Sequence, residues 1–348
     1  MELANPHPIT ASLTVSELPG FSLRLALAFA KATFNIADGR AVLETQAPRK
    51  LLLADTPTPL GDLPRDDLPR ADSVFEVVLL GQAHAPGGRP CRRMRVAMAV
   101  GGARRELQVS GDRQWMQAGE ARYPGEPEPF TLMPLTWSRA FGGTTAVEID
   151  RETFVDLCDV RNPAGRGWDP APDAQALCRR LKSPEGYPRF DPARLLPNVE
   201  DPDAPVTAWE DSPEPACWAP VPTTSSLHAR RMIQDGPDGP LVGPGVFHRA
   251  HPDWVLPDIP GAEALVEVQG VTDGGTWAFP LPRLGVQIDV RTGSLTRTMA
   301  LAPQLLVLLP EESRCHLVYR GLIQVPATDG EPRRARLRAD ETWAGGRR

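Results

Sequence analysis

The sequence predicts a mainly β fold, with two β-rich, sandwich-like parts, a long ordered connection rich in Pro and Trp between them, and few short helices. Three observations lead to this prediction. Proline accounts for 39 of the 348 residues, against a usual share of roughly 5%, and its missing backbone N–H disfavours long helices. Several segments alternate apolar and polar residues, as half-buried strands do. Glycine-containing turns separate these segments in pairs, which is typical of β-hairpins.

Four such hairpins are predicted along the chain. The clearest one has alternating residues at 94–100 and 106–109 on either side of two glycines. Two-residue turns need positive φ angles, so a Gly-containing pair between two apolar segments is a strong hairpin signal. In chain order, the four turns are Asp38-Gly39, Gly101-Gly102, Asp273-Gly274 and Thr292-Gly293.

The other elements are predicted from shorter signals. Phe75–Leu80 is an apolar run and indicates a strand buried on both faces. Phe21–Ala32 fits a helix or a strand, and we prefer a strand for its second half. Leu317–Tyr319 indicates a late strand. Asp173–Lys182 can form a short helix, because Asp173 suits the N-cap position and basic residues lie near the opposite end.

These elements predict a division of the chain into four parts. Residues 1–160 would form an N-terminal β domain, and residues 261–330 a C-terminal β part. The region 161–260 between them is crowded with Pro, Asp and Gly, but it also contains four tryptophans. Because disordered segments lack aromatic residues, we expect an ordered connection packed on the β scaffold. Residues 331–348 are expected to form a disordered tail.

Composition excludes several classes of function. The formal net charge is −6, with 38 basic and 44 acidic residues interspersed, so there is no basic field to hold nucleic acid. Five widely spaced cysteines without a CxxC pair indicate buried thiols in a reducing compartment. We find no signal peptide, and the best early apolar run, 23–32, is too short to span a bilayer. We therefore expect a soluble cytoplasmic protein without membrane insertion.

One group of residues resembles part of a metal site. His248 and His251 lie three positions apart with Asp253 nearby, and two such histidines share a face only on a helix. Pro252 follows directly and discourages a helix at this point. We therefore interpret both histidines as structural or surface residues and predict no metal site.

The chain also lacks the usual signatures of catalysis and phosphate binding. There is no GxSxG segment to display a nucleophile. Gly142-Gly143 and the glycines at 165–167 are not followed by a GK[ST] sequence, so they indicate turns. Glu210-Asp211 lies in a Pro-rich segment and suits a solvated loop better than an acid–base pair. We predict no catalytic residue, no cofactor and no enzymatic activity.

Seven segments, in the same order, resemble the motifs of the domain of unknown function 2169 family, which is associated with bacterial type VI secretion. Together they cover about Leu23 to Val325. Two later stretches depart from the family pattern: Thr223–Met232 replaces an expected Y-D-x-x-W segment, and Pro257–Ile259 matches an acidic, phenylalanine-rich stretch only loosely. The matching segments are Ala30–Phe34 with Asp38-Gly39, Ala71–Pro86, Val109–Trp115, Trp137–Gly143, Asn162–Trp168, Leu196–Pro202 and Phe247–Pro252.

The resemblance implies an adaptor or chaperone that binds a toxic effector and helps to load it onto the VgrG or PAAR spike. The implied partners are therefore the effector and the spike proteins. Two alternatives stay open: a hydrolase with an unrecognised site in the middle region, and a structural component of a phage-tail-like particle.

We expect the motif residues to be structural rather than catalytic. Glycines permit positive φ, and Asn side chains satisfy nearby backbone groups in turns. The residues concerned are Asp112, Arg113, Trp115, Arg139, Phe141, Gly142, Gly143, Asn162, Pro163, Gly165, Gly167, Leu196, Pro197, Asn198 and Glu200.

The tryptophans of the middle region are candidates for partner binding. Large aromatic residues are enriched at the centres of protein interfaces. The alternative is that they attach the connection to the scaffold. The candidate binding residues are Trp209, Trp218 and Trp254.

Overall fold

A computed structural model of the chain describes residues 2–17, 23–68, 73–119, 121–148, 154–168, 194–229, 233–236, 239–242, 244–261, 264–326 and 332–340. The fold is mainly β, as predicted. Helical structure in the described residues is limited to one short helix, α1, and to five 3₁₀ turns. These are α1 (Ser226–Ala229) and the turns Pro86–Gly88, Trp137–Arg139, Pro244–Phe247, Pro252–Trp254 and Pro310–Glu312.

The strands are numbered in chain order. The first half of the chain contains β1 (Glu2–Ala4), β2 (Thr10–Glu17), β3 (Leu23–Ala37), β4 (Arg40–Leu43), β5 (Phe75–Leu79), β6 (Gln82–His84), β7 (Arg93–Val100), β8 (Ala103–Ser110), β9 (Trp115–Ala118), β10 (Ala121–Pro124), β11 (Leu132–Pro134), β12 (Phe141–Gly142), β13 (Thr144–Glu148), β14 (Phe154–Cys158) and β15 (Arg166–Gly167). The second half contains β16 (Val199–Glu200), β17 (Ile233–Gly236), β18 (Gly239–Val242), β19 (Val255–Leu256), β20 (Leu265–Gln269), β21 (Thr276–Pro280), β22 (Gly285–Thr292), β23 (Leu295–Leu309), β24 (Arg314–Pro326) and β25 (Pro332–Asp340).

The largest sheet has ten strands and is nearly closed, like a barrel. Its main path runs β1-β25-β22-β23-β24-β3-β2, and β1 and β2 at its two ends are joined by the short connection 5–9. Three further strands extend it: β4 pairs with β3, β5 pairs in parallel with β23, and β19 pairs with β5. A second sheet of five strands has the order β16-β8-β7-β20-β21.

The predicted division into separate N- and C-terminal β parts is wrong, because both sheets combine strands from the two ends of the chain. Strand β3 pairs with β24 along its length, from Leu23 opposite Pro326 to Asn35 opposite Arg314. In the second sheet, β7 pairs with β20. The expected disordered tail also needs correction, since Pro332–Asp340 forms strand β25 and pairs with β22. Residues 341–348 lie outside the described residues.

The local predictions are confirmed more closely. The four predicted turns connect β3 to β4, β7 to β8, β20 to β21 and β22 to β23. At the first turn, both Asp38 (φ 49°) and Gly39 (φ 70°) have positive φ, as the commonest two-residue hairpin turn requires. Of the segment predicted as helix or strand, residues 23–32 lie within strand β3, and Leu317–Tyr319 lies within β24. The predicted helix at 173–182 lies outside the described residues.

One apolar core joins the two large sheets. Val96, Met98 and Val100 of β7 are buried in the same cluster as Leu306 and Leu308 of β23. Strand β5 is buried along its whole length, as predicted for 75–80. Burying one aliphatic side chain of this size contributes about 1.5–3 kcal/mol, so this shared core is the main force that holds the sheets together.

Described residues of the middle region form hydrogen bonds with strand β5 of this scaffold. Glu76 is a buried carboxylate within β5 and accepts hydrogen bonds from the backbone N–H groups of Arg249 and Ala250. The N–H of Leu79 donates to the carbonyl of Trp218 at 2.8 Å. The connection therefore uses backbone hydrogen bonds to the most buried strand. No helix among the described residues has the length and apolar character needed to cross a membrane.

A buried ion pair fixes the long segment between β4 and β5. Lys31 Nζ of β3 lies 2.8 Å from Asp66 Oδ2, and both side chains are at most 4% exposed. The same carboxylate oxygen accepts the N–H of Leu52 at 2.7 Å. Removing one partner of such a pair leaves an uncompensated buried charge, so the pair ties this segment to the sheet.

Candidate functional site

Three motif side chains from separate segments meet where β8 pairs with β16. Asp112 follows β8, Arg139 ends the turn Trp137–Arg139, and Asn198 precedes β16. Asn198 is fully buried; its Nδ2 donates to Asp112 Oδ1 at 2.9 Å and to the Ser110 carbonyl at 3.1 Å. Arg139 Nη1 donates to Asn198 Oδ1 and to Asp112 Oδ1, both at 3.0 Å. These side-chain hydrogen bonds link the three segments, in addition to the backbone bond from the N–H of Asn198 to the Arg139 carbonyl at 2.8 Å.

Arg166 belongs to the same group, although its place between two motif glycines is the only signal in the sequence. Its Nη1 lies 3.1 Å from Asn198 Oδ1 and 3.4 Å from Asp112 Oδ1, and its Nε donates to the Ser138 carbonyl at 3.0 Å. Burial lowers the pKa of Arg166, and repulsion from Arg139 lowers it further. We call Asp112, Arg139, Arg166 and Asn198 the arginine cluster.

The arginine cluster contains two guanidinium groups and one carboxylate. The side chains of Arg139 and Arg166 are 26% and 22% exposed, and that of Asp112 is 42% exposed. The cluster therefore reaches the surface and presents a net positive charge there. Its polar atoms are largely occupied by hydrogen bonds within the chain.

Asn162 organises the neighbouring glycine-rich turns. It is fully buried, and its Nδ2 donates to the carbonyls of Trp137 at 2.7 Å and Phe141 at 2.9 Å. Its own carbonyl accepts the N–H groups of Gly143 at 2.9 Å and Gly165 at 3.1 Å. One residue thus binds four backbone groups of the neighbouring turns, which fixes these turns relative to each other.

The glycines of this region are required by the close approach of Asn162. Gly142 has φ +136°, and a Cβ there would lie 2.2 Å from the Asn162 carbonyl oxygen. A Cβ on Gly165 would lie 2.4 Å from Asn162 Nδ2. Neither space admits a side chain, so the packing around Asn162 requires glycine at both positions.

A buried ion pair lies beside the arginine cluster. Arg113 Nη2 pairs with Glu200 Oε2 at 2.5 Å, and the two side chains are 6% and 3% exposed. Glu200 Oε1 also accepts the N–H of Val206 at 2.9 Å. Burial raises the pKa of Glu200, while the charge of Arg113 acts in the opposite direction. The pair joins the end of β8 to β16 and to the segment that follows it.

Apolar motif residues form a small core beneath these polar groups. Pro197 packs against Gly167 so closely that a Cβ on that glycine would lie 2.6 Å from Pro197 Cδ. The carbonyl of Pro163 accepts a hydrogen bond from the Thr144 hydroxyl at 3.0 Å. The small core consists of Trp115, Phe141, Trp168, Leu196 and Val206.

Two of the three tryptophans proposed for partner binding are core residues. Trp254 has no exposed surface and Trp218 is 3% exposed; their rings meet edge to face, with centroids 6.0 Å apart. The structure thus corrects the expectation for Trp218 and Trp254, because the same apolar surface attaches the connection to the scaffold. Trp209 is half-buried, and the guanidinium of Arg122 lies 4.7 Å from the centroid of its ring.

The hairpin β9–β10 presents apolar side chains that sequence reasoning missed. Met116 and Tyr123 are directly opposite each other in the pairing of the two strands, and they are 50% and 46% exposed. The neighbouring positions Trp115 and Arg122 point to the other face, because successive side chains of a strand alternate. We call the surface formed by Met116 and Tyr123 the hairpin face. The sequence offers no strong signal for it, because each strand has only four residues.

The remaining candidates for chemistry have structural surroundings. His251 Nδ1 accepts the N–H of Asp253 at 3.3 Å, and its ring stacks on Trp137 with centroids 6.2 Å apart. Among the described residues, no group of three or more His, Cys, Asp or Glu side chains could hold a metal ion. Burial raises the pKa of Cys217 to about 12, so its thiol stays protonated and is a poor nucleophile at neutral pH.

Comparison with known proteins identifies a family. A family model described as an uncharacterized protein conserved in bacteria, the domain of unknown function 2169, matches residues 23–320. This range contains the arginine cluster, the glycine-rich turns and the hairpin face. No curated protein and no solved structure matches the chain.

Proposed function

Since the chain belongs to the domain of unknown function 2169 family, we propose that it is a non-catalytic adaptor in the bacterial cytoplasm. In this proposal it binds a type VI secretion effector and helps to load that effector onto the VgrG or PAAR spike. The secretion role rests on the resemblance of the seven sequence segments. The binding role is supported by the way in which the motif side chains are used.

The motif side chains form hydrogen bonds with other parts of the chain. Asn162 and Asn198 bind backbone groups of neighbouring turns, and Arg113 and Glu200 neutralise each other in the interior. Side chains used in this way stabilise loops and are not arranged to activate a substrate. Loops that are rigid before binding lose little conformational entropy when a partner docks, which suits an adaptor.

The hairpin face is the best-supported contact surface for the effector. Met and Tyr are both enriched at the centres of protein interfaces, and Met116 and Tyr123 lie side by side on one surface. Behind them, Arg122 rests on Trp209, and Trp209 packs against the small apolar core. The effector therefore meets a hairpin whose position is fixed by the motif region, and Trp209 acts as a positioning residue.

Affinity purification with tagged protein tests the proposal. The tagged protein is expected to recover one effector in a stoichiometric complex. Replacing both residues of the hairpin face, as Met116→Glu with Tyr123→Glu, is expected to weaken that complex at least about tenfold, since central interface residues contribute about 1–2 kcal/mol or more each. Leu295→Ser is the matched control, because Leu295 is 51% exposed at the first position of β23.

A deletion strain tests the cellular role. We expect the strain to lose delivery of the recovered effector, while the secretion machine still fires and delivers other effectors. Normal delivery of every effector contradicts the adaptor role. Recovery of the protein in purified spike or sheath particles supports a structural component instead, and hydrolysis of a substrate by the purified protein supports an enzyme.

A further inference from the structure

A second feature, independent of the adaptor proposal, is a cavity of about 840 Å³ at one end of the ten-stranded sheet. It lies where β22 begins and β25 ends. Its apolar lining includes Ile259, Leu284, Val286, Leu301 and Pro303. Sites for small molecules in proteins have volumes of about 300–1,000 Å³ and are lined mostly by apolar side chains with a few polar groups. The cavity fits this description.

Among the polar residues that line the cavity, Arg283 has buried nitrogen atoms without a partner in the described part of the chain. Its Nε and Nη2 atoms are closed to water and have no hydrogen-bond partner among the described residues. Shielding a cation from water without a partner is unfavourable. An anion bound in the cavity would supply the missing counter-charge once the side chain turns towards the space that it lines.

The remaining charges around the cavity also favour an anion. Arg336, Arg338 and His7 contribute to its lining, and Asp340 is its only acidic residue among those described. Arg338 is already paired with Asp289, at 2.8 Å and outside the cavity. Arg283, next to Leu284 in the chain, is the lining arginine whose buried nitrogen atoms lack a partner among the described residues.

We propose that this cavity binds an aliphatic carboxylate, with the aliphatic chain against Val286 and Leu301 and the carboxylate at Arg283. Arg is suited to this role because its planar guanidinium can donate two parallel hydrogen bonds to one carboxylate. Both a free fatty acid and the leucine-terminated end of a protein present this chemistry.

Calorimetric titration of the full chain with decanoate tests the proposal, with decanol as the neutral probe of equal length. We expect decanoate to bind at least about tenfold more tightly than decanol, which corresponds to about 1.4 kcal/mol. Arg283→Met is expected to remove that difference without weakening decanol binding. A short peptide that ends in a free leucine carboxylate identifies the source of the ligand, by binding more or less tightly than decanoate.

Two further variants separate recognition from folding. Arg283→Met is expected to unfold at the same temperature as the parent protein or at a higher one, because it removes a cation without a partner. Leu301→Trp fills the cavity and is expected to abolish binding of both decanoate and decanol. Arg291→Met, on an exposed position of β22, is the matched charge control and should change nothing. Absence of binding by decanoate and the peptide at about 1 mM, or equal binding of decanoate and decanol, would overturn the proposal.

Discussion

Replacing Asn198 by Ala tests whether the arginine cluster holds the motif region together. The change removes a fully buried amide that makes two donor and two acceptor contacts. The Ser110 carbonyl loses a buried partner, and Arg139 and Arg166 lose the neutral oxygen that they share. Only the Asp112 carboxylate then remains to separate the charges of the two arginines.

The expected loss can be estimated from these contacts. A buried polar group left without a partner costs about 1–3 kcal/mol, which applies to the Ser110 carbonyl. If fully buried, the hydrogen bonds from the two guanidinium groups would add about 1.5–3 kcal/mol each. About a quarter of each arginine side chain is exposed, so water can replace part of the lost hydrogen bonding and the contribution is smaller. We therefore expect Asn198→Ala to lower the free energy of unfolding by about 2–4 kcal/mol.

Urea denaturation followed by tryptophan fluorescence measures this change, because Trp115 and Trp168 lie in the small core beneath the cluster. Gln117→Ala is the control, since it removes a single hydrogen bond of an exposed side chain. If Asn198→Ala changes the free energy of unfolding by less than about 0.5 kcal/mol, the cluster does not stabilise this region. Unchanged stability with lost effector binding would mark Asn198 as a contact residue.

Three further predictions concern single positions. Gly142→Ala should destabilise the protein by about 3 kcal/mol or more, because a Cβ would lie 2.2 Å from the Asn162 carbonyl oxygen. The control is Gly87→Ala, where the Cβ meets only open space; it should cost about 1 kcal/mol in thermal unfolding, because the residue keeps a positive φ. Burial lowers the pKa of His84, but hydrogen bonds to two carboxylates outweigh this effect and raise the pKa above 6.5. Protonated His84 therefore stabilises the folded protein below pH 6.5, and this stabilisation should be lost as the pH rises through the pKa of His84 in the folded state. His84→Gln should remove this pH dependence of the unfolding midpoint. Burial, together with nearby cations, lowers the pKa of His316 to about 3. As the pH falls from 6.5, His316 takes up a proton in the unfolded state before it does so in the folded state, so the free energy of unfolding should decline by up to about 1.4 kcal/mol per pH unit. His316→Phe should reduce this slope in urea titrations at pH 4–6.

Short-range features of the fold could be predicted because their causes lie within a few residues. Asp38-Gly39 needs only its own φ angles to form a hairpin turn, and the alternation of Val96, Met98 and Val100 needs only one buried face. Strand partners depend instead on the whole core. Nothing near β3 in the sequence shows that it pairs with β24, almost three hundred residues later in the chain.

The failure at β25 has a specific reason. Arg336 and Arg338 made the end of the chain look like a charged tail, but they alternate with buried Ala335 and Leu337. This is the period-two pattern of a strand with one face on the core and one in solvent. Net polarity outweighed periodicity in the prediction, although periodicity carries the structural information.

The residues of the candidate site also differ in how far the sequence could identify them. Gly142 and Asn162 could be assigned structural roles, because glycine and asparagine have few other reasons to recur in such a motif. Arg166 and the hairpin face could not be identified, since an arginine between glycines and a four-residue strand carry little information alone. Trp218 and Trp254 were misjudged for another reason: a Pro-rich surrounding suggests exposure, whereas their rings complete the core.

The contacts that hold the middle region on the scaffold help to explain how its residues 223–232 can depart from the family pattern. Glu76 holds the nearby segment around residue 250 through the backbone N–H groups of Arg249 and Ala250, which almost any residue can supply. The arginine cluster, by contrast, depends on particular side chains and lies entirely within residues 112–198. Within the departing stretch, Ser225 and Leu227 are buried, and Leu227 packs in one cluster with Trp137 and Ala140, whereas Thr223 and Thr224 are exposed and can change without disturbing either anchor. Variation at these exposed positions is compatible with one preserved scaffold that serves different effectors, and replacing Thr223 and Thr224 by the residues of another family member should alter effector choice while leaving the unfolding free energy within about 1 kcal/mol.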